Sequence, residues 1–77
     1  MDRKTPEPPL TADACRAARG ILRWSIADLV HSAYVSPNSV QKVELGEPVR
    51  RETAERIVHA FEQQGLELLP RGAQRRH

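Results

Sequence analysis

Two helix N-cap signals stand eleven residues apart in the middle of the chain, and this spacing constrains the fold more than any other feature. The hydroxyl groups of Ser25 and Ser36 can accept hydrogen bonds from the free amides at the start of a following helix. Pro37 then fits the first helical position, where its missing N–H does no harm. The spacing leaves room for one short helix and a tight turn. The sequence therefore predicts a helix-turn-helix pair.

Chain length and composition favour further helices around this pair. The chain has 77 residues with one Trp, one Tyr and one Phe, so Leu, Ile, Val and Ala must fill most of the core. A domain of this size buries roughly 60% of the surface that its unfolded form exposes, so the core must be well packed. We expect an all-α fold, a compact bundle of about four to five helices.

Apolar residues recur at three- and four-residue spacing before and after the pair. Thr11 is a candidate N-cap for a helix upstream. Gly46 and Gly65 are candidates for the left-handed residue that ends a helix. Together these signals predict helices at residues 12–22, 26–33, 37–45 and 51–64.

The two ends of the chain differ from its middle. Residues 1–10 contain three prolines among charged neighbours, which predicts a disordered N-terminal arm. Residues 11–69 then form the helix-turn-helix domain. Residues 70–77 are basic and lack an apolar pattern, so we expect a disordered tail.

Three leucines follow the last predicted helix, at Leu66, Leu68 and Leu69. They either form a short extended segment or pack back over the helix end after its glycine cap. As an edge strand, or across a two-fold axis, they could also join two copies of the chain. They are therefore candidate dimer contacts.

The sequence shows neither a catalytic motif nor a metal-binding motif. The three histidines are far apart, and none stands at metal-ligand spacing from Cys15. The chain has no glycine-rich phosphate loop and no nucleophile motif. We expect a protein that is not an enzyme and needs no cofactor or metal. With a single cysteine and no apolar run of membrane-spanning length, we also expect it in the cytoplasm, without a membrane partner.

Six positions in and around the helix pair form one spacing pattern: Ser25, Leu29, Ser36, Val40, Glu44 and Gly46. The whole pattern is more specific for a protein family than any single position in it. With the preceding residues 17–24, this pattern resembles the Xre-like, Cro and phage-repressor helix-turn-helix family over residues 15–65. The resemblance implies a lambda-repressor-like domain that binds double-stranded operator DNA, usually as a homodimer. It also implies a transcriptional regulator, which we expect to be a repressor or controller of a bacterial or mobile-element promoter.

The resemblance also assigns the DNA contacts. It places several residues of the third helix at or near the bases: Pro37, Asn38, Ser39, Gln41 and Lys42. Amide and ammonium groups of this kind pair with the base edges of the major groove. It gives phosphate contacts to Ser25, Ser36, Arg50 and Arg51. From spacing alone, the same polar residues of the third helix could be only its solvated face.

One charged pair is predicted inside the fold. The resemblance places Arg19 of the first helix beside Glu44 at the end of the third. Both residues lie among apolar positions, and a charge on an inner face is tolerable only when it is paired. We therefore expect a salt bridge between them.

Two positions depart from the family pattern. Ile26 stands where the family usually carries a glutamine that touches phosphate, and Tyr34 stands where the turn usually has glycine. If the turn keeps its geometry, Tyr34 must adopt a positive φ at a cost on the order of 1 kcal/mol.

These departures leave a second hypothesis open. Residues 25–49 carry three acids and only Lys42 as a base, which is a weak charge for a DNA-binding surface. The same scaffold could instead be a protein-interaction module, such as an antiactivator or antitoxin-like adaptor. Its exposed surface would then bind a protein partner such as polymerase or a regulator.

Overall fold

The computed structural model describes residues 10–76, which form four helices and one two-stranded sheet. The elements are α1 (Ala12–Leu22), α2 (Ile26–Ala33), α3 (Pro37–Glu44), α4 (Arg51–Gln63), β1 (Leu66–Leu69) and β2 (Gly72–Arg75). The predicted helices are all present, with ends that differ by at most one residue from those expected. Apart from Leu10, the predicted N-terminal arm lies outside the described residues.

The all-α prediction is wrong, because the chain ends in an antiparallel β-hairpin. Leu69 of β1 faces Gly72 of β2 across a two-residue turn formed by Pro70 and Arg71. Proline at the second position and glycine at the fourth suit a type I turn. The hairpin also corrects the prediction of a disordered tail, since residues 72–75 form a strand.

Contacts with the helices hold the hairpin in place. β2 packs along α1, and the Thr11 hydroxyl before α1 donates a hydrogen bond of 2.8 Å to the carbonyl oxygen of Pro70. The backbone N–H of Arg76 donates to the Gly65 carbonyl at 2.6 Å. β2 itself has no apolar pattern, so its order comes from pairing with β1 and from packing on α1.

The predicted N-caps are confirmed at the first three helices. The side-chain oxygens of Thr11, Ser25 and Ser36 each accept a hydrogen bond of 3.0–3.1 Å from the backbone N–H three residues ahead. At α2 the cap is reciprocal, since the Asp28 carboxylate accepts from the Ser25 N–H at 2.8 Å. At α3, Pro37 occupies the first turn as expected.

A residue with positive φ follows every helix: Arg23, Tyr34, Gly46 and Gly65. Gly46 and Gly65 take this conformation without strain, as the sequence predicts. Arg23 and Tyr34 have Cβ atoms, and each adopts the left-handed conformation at a cost on the order of 1 kcal/mol. The structure thus keeps the tight turn between α2 and α3 although Tyr34 replaces the expected glycine.

The core lies where the helices meet the inner face of the hairpin. Its largest fully buried side chains come from all four helices and from β1: Phe61, Leu29, Ile57, Leu66, Val40 and Cys15. The Trp24 ring packs on Phe61, with 5.9 Å between the ring centroids. None of the helices within residues 10–76 has the length and apolar character needed to cross a membrane.

Burial of the leucines limits the surface that the predicted dimer contact could use. Leu66 is fully buried and Leu68 is only 6% exposed, so the chain's own core uses both side chains. Leu69 points to the other face of the strand and is half-buried. Of the three leucines, only Leu69 has surface left for a second copy.

Candidate nucleic-acid interface

The outer face of α3 carries the central residues of the predicted base-reading set. Asn38, Gln41 and Lys42 are exposed, whereas Val40 and Val43 on the inner face are buried. Positions three and four residues apart are neighbours on a helix surface, so the three polar side chains lie together. They present hydrogen-bonding groups to solvent. Pro37 is also exposed, at the start of the same helix.

Ser39 lies apart from this face. It is half-buried, and its hydroxyl oxygen is 3.0 Å from that of Ser36. It helps to line a surface depression of about 250 Å³ at the junction of α3 and α4, together with Lys42, Val49, Arg50 and Thr53. Within residues 10–76 no carboxylate lines this depression, and its polar side chains can all donate hydrogen bonds. It therefore suits an anion such as a phosphate better than a base edge.

The predicted phosphate contacts occupy helix starts. Arg50 is the N-cap of α4 and Arg51 its first residue, and both side chains are exposed. Ser25 and Ser36 use their hydroxyl oxygens to cap α2 and α3. At Ser25 the backbone N–H is also taken by a carboxylate, so this residue has only its hydroxyl hydrogen to offer a phosphate.

The predicted salt bridge between Arg19 and Glu44 is present. Nε of Arg19 donates to Oε2 of Glu44 and Nη2 donates to Oε1, both at 2.8 Å, which makes the contact bidentate. Nη1 donates to the carbonyl oxygen of Trp24 at 3.1 Å. The two side chains are only 20% and 12% exposed. The pair therefore joins α1 to the last residue of α3 in a largely buried position.

Two more residues of α1 hold the same end of α3. The thiol of Cys15 donates to Oε2 of Glu44 at 3.2 Å, and Nη2 of Arg16 donates to the backbone carbonyl of Glu44 at 2.6 Å. Neither contact was predicted from the sequence. Arg16 stands three residues before Arg19, so helical spacing could have indicated that both arginines reach the same neighbour.

The protonation states follow from this geometry. Burial, aided by the hydrogen bond to Glu44, raises the pKa of Cys15 to about 12. Burial alone would raise the pKa of Glu44, but hydrogen bonds from Arg19 and Cys15 lower it below its ordinary value. The hydrogen bond to Glu44 raises the pKa of Arg19. Near neutral pH the site therefore holds a carboxylate, a guanidinium and a neutral thiol.

The turn between α2 and α3 is tied to α4. The guanidinium of Arg56 donates to the carbonyl oxygen of Tyr34 at 3.1 Å and to the carboxylate of Glu52 at 2.7 Å. The Tyr34 side chain is 81% exposed and covers none of the core.

An apolar groove adjoins the polar face of α3. Leu45, which follows the helix, is 73% exposed, and Ile26 at the start of α2 is half-buried. Together with Arg16, Gln41 and Glu44 they line a groove of about 390 Å³, called here the Ile26–Leu45 groove. Ile26 was noted in the sequence as a departure from the family pattern, whereas Leu45 was missed.

Thr53 was also missed, and no local signal marks it. Its place beside Lys42 depends on the path of the chain between α3 and α4, which helical periodicity does not describe. For metal binding, residues 10–76 offer no group of three or more His, Cys, Asp or Glu side chains that could hold an ion.

Comparison of the chain with protein-family models, with curated protein sequences and with solved structures finds no match. The resemblance to the Xre-like and Cro family therefore rests on the residue pattern of residues 15–65 alone.

Proposed function

We propose that this protein binds double-stranded DNA in a sequence-specific manner and regulates transcription, with α3 in the major groove. One observation carries the proposal: Asn38, Gln41 and Lys42 stand exposed on one face of α3. In a helix-turn-helix unit the second helix reads base edges with residues near its N-terminus. Asn and Gln suit adenine, and Lys suits guanine.

The surroundings of α3 support the same function. The depression beside the base-reading face offers Ser39, Arg50 and Thr53 as donors for a backbone phosphate, which leaves Lys42 at its edge for the bases. At its other end, α3 is held through the buried Arg19–Glu44 contact. A helix that reads bases by hydrogen bonds needs a fixed orientation, and this contact supplies it.

The wider role follows from the proposed binding. We propose a cytoplasmic regulator of the Xre-like kind, acting as a repressor or controller by occupying a promoter or by contacting polymerase. If two copies act together, both recognition helices must meet one face of the duplex. The operator would then contain inverted half-sites with centres about 10 base pairs, or a multiple of that distance, apart.

The experiment begins with selection of a preferred duplex from a randomised pool by the whole wild-type chain. Binding is then measured on this duplex and on random DNA for Asn38→Ala, Lys42→Ala and Arg50→Ala. The first two changes should cost about 1 to 3 kcal/mol on the preferred duplex and little on random DNA. Arg50→Ala should weaken both complexes alike and reduce the salt slope by about one unit.

Two outcomes would contradict the proposal. Equal losses on both kinds of DNA for all three variants would mean that α3 carries no sequence information. Failure of the pool to yield any bound duplex at low salt would exclude DNA as the ligand, because phosphate contacts are strongest under that condition.

A second candidate function has one observation in its favour. The Ile26–Leu45 groove gives the helix pair an apolar surface beside its polar one. An adaptor that binds a protein, such as an antiactivator or an antitoxin-like protein, would use such a surface.

A further inference from the structure

The Ile26–Leu45 groove is not explained by DNA binding. Leu45 lies eight residues after the first residue of α3, which is about 12 Å along a helix axis at 1.5 Å per residue. When the N-terminal part of α3 reads bases, this far end lies closer to the sugar-phosphate backbone. An apolar side chain offers a phosphate no hydrogen bond and displaces its water, so such a contact is unfavourable.

Two charged side chains of residues 10–76 line the groove, Arg16 and Glu44. Arg16 lines it, and its side chain is 50% exposed. Lys42 stands one helical turn before Leu45 on the exposed side of α3. Glu44 also lines the groove, but Arg19 and Cys15 already engage its carboxylate. Asp13 approaches Arg16 only to 3.9 Å.

An apolar groove with the half-exposed Arg16 in its lining, and with Lys42 one helical turn before Leu45, suits a ligand that combines an apolar side chain with carboxylates. We propose that the Ile26–Leu45 groove binds an acidic segment of a partner protein. One Leu, Ile, Met or Phe of that segment sits between Ile26 and Leu45. Its neighbouring Asp or Glu residues face Arg16 and Lys42.

The proposed binding has a regulatory consequence, which rests on the proposed function. Lys42 belongs to the base-reading face, so the acidic segment and the duplex compete for it. A partner protein with such a segment would release the chain from DNA. The groove itself requires no DNA binding, so the two proposals can be tested separately.

The test uses the whole chain and a display library of random peptides. Selection on the wild type should enrich peptides in which a large apolar residue stands beside Asp or Glu. The enriched peptides are synthesised, and their affinities are measured by fluorescence anisotropy. Leu45→Ser should weaken binding about tenfold or more, as expected when an anchor loses its pocket. Ile26→Gln should weaken it in the same direction.

Tyr34→Asn is the matched control. It removes the other large exposed hydrophobic side chain, which is 81% exposed and does not line the groove. Asn also accepts the left-handed backbone at this position. This variant should bind the selected peptides as tightly as the wild type. Far-UV circular dichroism checks that each variant keeps its helices. This is expected for Leu45→Ser and Tyr34→Asn because both residues are on the surface. Ile26 also packs against the core, so the result for Leu45→Ser decides if Ile26→Gln loses its helices.

Several results would overturn the proposal. The first is that no peptide is enriched over a selection without protein. The second is that the selected peptides bind the wild type and Leu45→Ser with equal affinity. The third is that Tyr34→Asn, and not Leu45→Ser, weakens peptide binding. Exchange of the peptide carboxylates for amides must also weaken binding, since otherwise Arg16 and Lys42 play no part. Peptide binding without any DNA binding would refute the proposed function alone. DNA binding without any selected peptide would refute the groove alone.

Discussion

The contact between Arg19 and Glu44 allows the sharpest test of how α1 positions α3. Arg19→Met keeps most of the apolar stem and removes the guanidinium. The Glu44 side chain, which is 12% exposed in the wild type, then loses both 2.8 Å hydrogen bonds from the guanidinium of Arg19. Removal of one partner of a buried pair costs about 3 to 5 kcal/mol, and the residual exposure of this pair favours the lower end.

We therefore expect Arg19→Met to lower the free energy of unfolding by about 3 kcal/mol, measured by urea denaturation with far-UV circular dichroism. In a domain of this size each kcal/mol corresponds to about 4 to 8 °C, so the melting temperature should fall by about 12 to 24 °C. A loss below about 1 kcal/mol would refute the reasoning, because that is the value of a surface ion pair.

The double variant Arg19→Met/Glu44→Leu is the control for this prediction. It removes both charges together, so no unpaired charge stays buried, and its cost should be clearly smaller than that of Arg19→Met. With the single variants Arg19→Met and Glu44→Leu, the double variant completes a mutant cycle that isolates the interaction energy of the pair. If the double variant is as unstable as Arg19→Met, the loss comes from packing and not from the orphaned charge.

The same pair predicts a pH dependence. The pKa of Glu44 is lowered in the folded state, so its contribution to stability is complete above the unfolded pKa of about 4.3. That contribution is lost as pH falls through the folded pKa, because protonation breaks the ion pair. The wild type should therefore lose more stability below about pH 4 than Glu44→Gln does. Parallel pH profiles for the two proteins would contradict the assigned ionisation.

Three further changes test other features of the fold. Tyr34→Gly should raise the free energy of unfolding by no more than about 1 kcal/mol. Glycine removes the left-handed strain, and this gain exceeds the loss from the greater entropy of the unfolded chain. A lower melting temperature would refute this. Leu68→Asp should abolish the cooperative unfolding transition, because it buries a carboxylate in the core; a folded variant of lower oligomeric mass would instead restore the dimer-contact hypothesis. Cys15 should react with a thiol reagent at pH 8 only as fast as the chain opens, because its thiol is buried and burial raises its pKa to about 12. Rapid reaction under native conditions would show instead that the thiol is accessible.

The helices could be predicted because their signals are local. Ser25 and Ser36 cap the residues that immediately follow them, and Gly46 ends α3 through bonds to the preceding turn. Such features need only a few neighbouring residues, so the sequence specifies them directly. Arg19 and Glu44 are distant in sequence, and their contact was expected only through the resemblance to a family.

The hairpin could not be predicted in the same way, because its second strand depends on contacts from elsewhere. Gly72–Arg75 contains no β-branched or aromatic residue and no alternation of apolar positions. It is ordered by the ladder to β1 and by the surface of α1. A turn signal was present in the run from Leu69 to Gly72, but it predicts a hairpin only when a second strand is expected.

Ile26 and Tyr34 were both visible as departures from the family pattern, and the structure separates their meanings. Tyr34 adds only the strain of its own left-handed backbone, because the turn keeps its geometry and the side chain lies in solvent. The importance of Ile26 depends on Leu45, which lies at the other end of the helix pair and joins it in one groove. Neither residue alone indicates a ligand. The surface that these two side chains share is apolar, so it suits an apolar side chain of a protein segment better than a phosphate.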